Sequence, residues 1–184
     1  MPDRLHFTGI DEADELIARD PLALLIGFVL DQQVTVQKAF AGPLVLQQRA
    51  GTLDAAALAA MDLEPIFRER PAIHRFPGSM AGRVQGLCEQ IARDYDGHAE
   101  RVWTEAESAD DLRTRLGELP GFGEMKVKAV ASVLSKHFGV RAADALVPDM
   151  PTLGDVDSAA ALAEYQAAKR AQKAAKRAER AAAS

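Results

Sequence analysis

Between Leu119 and Val130 the chain reads LPGFGEMKVKAV. Two glycines, Gly121 and Gly123, flank the apolar Phe122, with Pro120 before them and Lys126 and Lys128 after. Glycine reaches backbone angles closed to other residues, and proline stops a helix and sets a turn. A turn of this kind at the start of a helix leaves several backbone N–H groups free. Those groups, with the helix dipole, form an anion site. The absent side chains let a phosphate come close, and Lys126 and Lys128 add positive charge. The chemistry implied is a grip on one nucleic-acid phosphate that reads no bases. The same pattern also serves as a plain helix–helix connection with a glycine cap.

Other polar residues with chemical potential are scattered. Gln32 and Gln33 stand between two apolar stretches. They read either as ordinary loop residues or as probes that enter a DNA stack and bond base edges. His74 and Arg75 fall in a proline- and glycine-punctuated segment, PAIHRFPGS, and are expected to be solvated. The four histidines make no metal-binding spacing. The single Cys88 excludes an internal disulfide and a four-cysteine metal or iron–sulfur site. Neither a metal nor a cofactor is expected.

The elements that hold these residues read as helices. SADDLRTRLGEL gives Ser108 as N-cap, Asp111 as a capping-box acid, and Leu112, Leu116 and Leu119 on one face. Val127, Val130, Val133 and Leu134 continue helically beyond the glycines, so the centre is helix, tight turn, helix. Upstream, Asp20 caps DPLALLIGFVLDQQ, with Pro21 at the first helical position and almost no polar face, so this helix is predicted buried all round. A second helix, Thr35 to Gln48, follows, with Gly42-Pro43 as a kink or break. Two short helices are expected over Thr52–Met61 and Leu63–Arg70. A longer one follows with Met80, Val84, Leu87, Cys88, Ile91 and Tyr95 on its apolar stripe and Gly97 as C-cap. Trp103 is expected in the core. After Phe138-Gly139 an irregular run leads to Asp157, and then one alanine-rich helix closes the chain, with Asp157 or Ser158 as N-cap. No strand is evident, and the fold class is all-α.

At 184 residues the chain can bury one good core or two small lobes. No apolar run is long enough for a membrane span, and the acidic, broken N-terminus is no signal peptide. The default is a cytoplasmic monomer. The net charge of −5 is uneven. Six bases against two acids give the segment from Ala163 onward +4, which leaves −9 for the rest. Phosphate binding by the body must therefore be local. In the tail, Lys169, Lys173, Lys176 and Arg180 line up at helical spacing, either along a nucleic-acid backbone or as a solvated face.

Taken together, PLALLIGFVLDQQVTV, GSMAGRVQGLCEQIARDYDG, LPGFG and TLGDVDS, in that order, resemble the helix-hairpin-helix–GPD superfamily of base-excision DNA glycosylases, the endonuclease III type. The likeness runs from about Pro21 to Asp157 and extends to the small subgroup known only as HhH-GPD-type base excision repair proteins. It implies a glycosylase-like domain over 1–157 with a reduced second lobe, and a basic helix over 158–184. It implies double-stranded DNA as partner. The hairpin, Gly121 to Gly123 with Lys126 and Lys128, would hold a phosphate, and Gln32 or Gln33 would fill the gap left by an everted base. An Asp would promote cleavage of the N-glycosidic bond through an oxocarbenium-like state. By context that residue is Asp155, with Asp157 and Asp144 as alternatives.

The departures matter as much. Bifunctional members carry a lysine two residues after the second hairpin glycine, and here that position is Met125. Lys126 lies about 100° further round the helix and is expected to point elsewhere. A monofunctional glycosylase without β-lyase activity follows. The rival reading is a non-catalytic DNA-binding hairpin module, and a third is a helical protein-interaction domain that uses the basic tail.

Overall fold

Most helices of this chain begin where a short polar side chain takes up a free amide. Asp20 accepts from the N–H groups of Leu22 and Ala23 at 2.9 and 3.0 Å, Thr35 from Lys38 at 3.2 Å, and Asp54 from Ala57 at 2.8 Å. Ser108 and Ser158 do the same, each at 3.1 Å. The structure, a computed structural model, describes residues 1–184 and is all-α. In order the helices are α1 (Asp11–Arg19), α2 (Pro21–Leu30), α3 (Val36–Ala50), α4 (Ala55–Ala60), α5 (Leu63–Arg68), α6 (Pro77–Asp94) and α7 (Arg101–Thr104). Then come α8 (Ala109–Gly117), α9 (Glu124–Phe138) and α10 (Ala159–Ala182). Two 3-10 turns, Arg141–Leu146 and Leu153–Asp155, fill the run between α9 and α10.

The axis of the fold is α2. Every residue from Leu22 to Leu30 is buried, and α1, α3 and α6 pack around it. Phe40 of α3 meets Phe28 and Phe7 edge-on, with ring centroids 5.0 Å apart in both pairs. A ten-residue helix is marginal alone, and here burial worth about 1.5–3 kcal/mol per large apolar side chain holds it. The predicted stripe of α6, Met80 through Tyr95, is buried throughout, as is Trp103. One continuous core runs from Leu5 to Tyr165, past the 157/158 boundary.

Several local readings are refined. Pro43 lies within α3 without dividing it, and the proline and the neighbouring Leu44 are both buried. Asp111 accepts from the N–H of Glu107 at 3.0 Å rather than from that of Ser108. A complete capping box stands instead at Thr152–Asp155. There the turn presses so closely on α9 that a Cβ on Gly154 would lie 2.5 Å from the Ser132 carbonyl oxygen. Past Tyr165, α10 leaves the core. Gln166 and Gln37 exchange side-chain amide hydrogen bonds at 2.7 and 3.2 Å, and residues 167–184 are exposed.

Candidate functional site

The turn between α8 and α9 is closed by the Phe122 N–H donating to the Leu119 carbonyl at 3.1 Å. Gly121 has φ +83, the left-handed region in which a side chain is strained. Gly123 is the N-cap of α9 with φ −74, an angle open to any residue, and a Cβ built there meets nothing within 4 Å. The fold itself places no demand for glycine at 123. The first helical bond of α9 runs from Val127 N–H to the Gly123 carbonyl at 2.9 Å, and no side chain caps the helix. The N–H groups of Gly121, Gly123, Glu124, Met125 and Lys126 are therefore left without an intramolecular acceptor.

These amides open onto a cleft of about 1070 Å3. That is at the upper end of the ~300–1,000 Å3 range of small-molecule pockets. One wall is the hairpin. Asp31 and Gln32 from the end of α2 also line the cleft, and Arg83 of α6 lies beside the hairpin, its Cδ 3.8 Å from where a Cβ on Gly121 would stand. Tyr165, Lys169 and Lys176 of α10 and Thr152 complete it. Arg83 donates to the Gln32 side-chain oxygen and fixes its orientation. The Gln32 carbonyl is held from behind. His74 Nε2 lies 3.0 Å from the Leu30 oxygen and 3.1 Å from the Gln32 oxygen, while its Nδ1 accepts from Phe76 N–H at 3.0 Å. His74 is thus a buried strut, not a solvated loop residue, because its ring satisfies three backbone groups at once. Burial lowers its pKa, against the pull of its two backbone hydrogen bonds.

Two carboxylates line this cleft, Glu124, which pairs with Lys128, and Asp31, whose side chain accepts no hydrogen bond. Burial raises the pKa of Asp31, while the charges of Lys169 and Lys126 pull it down. Lys126 shows the converse. Burial lowers its pKa, the Asp31 charge raises it, and Arg83 lowers it further. Its ammonium lies 5.8 Å from the Phe122 ring centroid.

Of the residues singled out from sequence, Gly121, Gly123, Lys126, Lys128 and Gln32 all line the cleft. Lys126 lines the cleft beside Met125. The cleft meets α9 end-on, so Met125, Lys126, Lys128 and Ala129 all reach it despite lying on different faces. Phe122 also borders the cleft but is only 5% exposed, so it packs on the core and props Lys126. Lys128 is half-spent on Glu124, 3.6 Å away. Gln33 is exposed at φ +56 and faces an adjoining groove instead.

The three candidate acids lie outside the cleft lining. Asp155 closes the capping box by accepting from Thr152 N–H at 2.8 Å, and it pairs with Lys136 at 2.5 Å. Burial raises its pKa, but hydrogen bonds from Lys136 and Thr152 outweigh this and hold it below the usual range. Asp144 accepts from the Ser135 hydroxyl at 2.6 Å. Asp157 is exposed, and the N-cap role beside it falls to Ser158. Sequence reasoning missed Asp31. One signal was present: an acid at the C-terminal end of a helix opposes the helix dipole and invites a reason.

No family model, no curated protein and no solved structure matches the chain. No helix is long and apolar enough to cross a membrane.

Proposed function

We propose that this chain is a DNA-binding protein of the helix-hairpin-helix–GPD kind, a DNA N-glycosylase that acts on a damaged or mispaired base in double-stranded DNA. The observation that carries this reading is the row of unpaired hairpin amides facing the same cleft as Gln32, Asp31 and Lys126. The amides and Lys126 take one phosphate, whose charge they meet without reading sequence. Gln32, held by Arg83, is the polar side chain placed to occupy the space of an everted nucleotide.

The carboxylate in this reading is Asp31, in place of Asp155. Breaking the N-glycosidic bond builds positive charge on the sugar, and a half-buried carboxylate with no hydrogen-bond donor stabilises it strongly. A water then bonds to the sugar carbon as the base departs with the electron pair of the broken bond; Asp31 takes the proton of that water, and the base takes a proton from solvent. We keep hydrolysis without lyase chemistry because Met125 stands where bifunctional members carry their attacking lysine.

The test is incubation with duplexes that each carry one lesion or mispair, followed by alkaline cleavage at abasic sites. Product with the wild type and none with Asp31→Asn is expected, with no adduct trapped by borohydride. An adduct lost in Lys126→Ala would replace hydrolysis by amine attack. No product on any duplex would defeat the enzyme reading. A second reading is then left, a non-catalytic DNA-binding hairpin, and the placement of Asp144, Asp155 and Asp157 outside the cleft favours it.

A further inference from the structure

A second groove, of about 960 Å3, lies on the other side of α10. It shares Asp31, Tyr165, Lys169, Gln172 and Lys176 with the first, so α10 is the partition between them. Two stripes run along that helix. Tyr165, Lys169, Gln172 and Lys176, at spacings of 4, 3 and 4, reach both grooves. Arg170, Lys173, Arg177 and Arg180, at spacings of 3, 4 and 3, reach the second alone, and Arg75 joins them from the loop before α6. Seven of the fifteen residues lining this groove are bases and one is an acid, in a chain whose net charge is −5. A lining of that kind is matched by a polyanion and by little else.

Like charges three and four residues apart repel along a helix. Past Gln166 this segment holds six bases against the single Glu179 and buries nothing. Neutralisation by closely spaced phosphates would relieve that repulsion and release counterions. The arm from Gln166 to Ala182 is about 24 Å long, and a helix of ordinary width enters the ~12 Å major groove of DNA. Gln166 and Gln37 clamp its base, so the arm leaves the body at a fixed angle.

We infer that the second groove holds a further stretch of DNA phosphates, so that double-stranded DNA sits astride α10, one backbone segment on the hairpin side and another on the Arg170–Arg180 side. The inference rests on the DNA-binding reading above and adds a contact surface that the hairpin does not supply.

The experiment measures binding of the full chain to a labelled duplex as a function of salt, together with phosphate-ethylation interference. The probe variant joins Arg170→Gln, Lys173→Gln, Arg177→Gln and Arg180→Gln, all exposed positions with no core contact. The expected result is a log K against log salt slope shallower by about 3 to 4, near 0.9 per phosphate lost. Two separate clusters of interfering phosphates should appear with the wild type, and the quadruple variant should lose one of them. An unchanged slope and footprint in that variant, with binding still lost in Gly123→Asp, would overturn the second groove and leave the hairpin reading intact. No duplex binding by the wild type at low salt would overturn both.

Discussion

Asp31 and Lys126 face one cleft from the ends of different helices, and burial displaces their pKa values in opposite directions. The carboxyl is raised and the ammonium lowered, and each charge partly restores the other. In the proposed mechanism bond cleavage needs ionised Asp31, so activity should fall on the acid side at a pH above the ordinary aspartate range. Lys126 loses its proton below the ordinary lysine range, so affinity for DNA should fall early on the alkaline side. A pH profile of rate and Kd checks both limbs. An acid limb at the ordinary aspartate pKa would show that another carboxylate carries the chemistry.

Asp31 and Asp155 should separate function from stability. A carboxyl whose folded pKa is raised adds stability only below that pKa, so Asp31→Asn should leave the urea midpoint at neutral pH unchanged or higher, while base excision is lost. Asp155 is depressed, so its contribution is present above the unfolded pKa and lost as pH falls through the folded one. Asp155→Asn removes a cap and the partner of Lys136, and should cost about 0.5–2 kcal/mol at neutral pH with excision intact. Urea melts alongside the excision assay measure both.

The fold was largely legible because helix starts and apolar stripes are local signals. Asp20-Pro21, Thr35 and Ser158 declared their helices, and the stripe from Met80 to Tyr95 declared α6. The glycine turn was legible for the same reason. The rest of the cleft was not, since Arg83 meets Gln32 across 51 positions and Asp31 meets Lys126 across 95, and no spacing rule covers such distances. Asp155 misled because a capping-box acid and a catalytic acid look alike in a string of letters.

His74 should act as a pH-sensitive strut. Its neutral ring donates from Nε2 and accepts at Nδ1, so protonation deprives the Phe76 N–H of its acceptor. The folded pKa is lowered, as is that of His137, so stability should fall as pH drops from the unfolded value near ~6.5 toward the folded ones. His74→Phe should cost about 1–3 kcal/mol by leaving backbone groups unpaired. It should also flatten the pH dependence of the urea midpoint as pH falls below the unfolded value of about 6.5.

Gly154 is where the second 3-10 turn rests on α9, and the atom in the way of a side chain is backbone, which cannot swing aside. Gly154→Ala should cost about 1–3 kcal/mol, read as a lower urea midpoint at unchanged slope. Because Thr152 on the same turn lines the cleft, duplex affinity should weaken as well.

The most direct measurement is the duplex affinity of Gly123→Asp beside its melting temperature. Aspartate at this N-cap has room for its Cβ and an angle it tolerates, and its carboxylate would take the free amides for itself. As a better cap than glycine by about a few tenths of a kcal/mol, it should leave the melting temperature equal or higher. We expect Kd for double-stranded DNA to rise by about tenfold or more, the loss of a charge-assisted contact of ~1.5–3 kcal/mol. Wild-type affinity in this variant would show that the hairpin amides hold no phosphate.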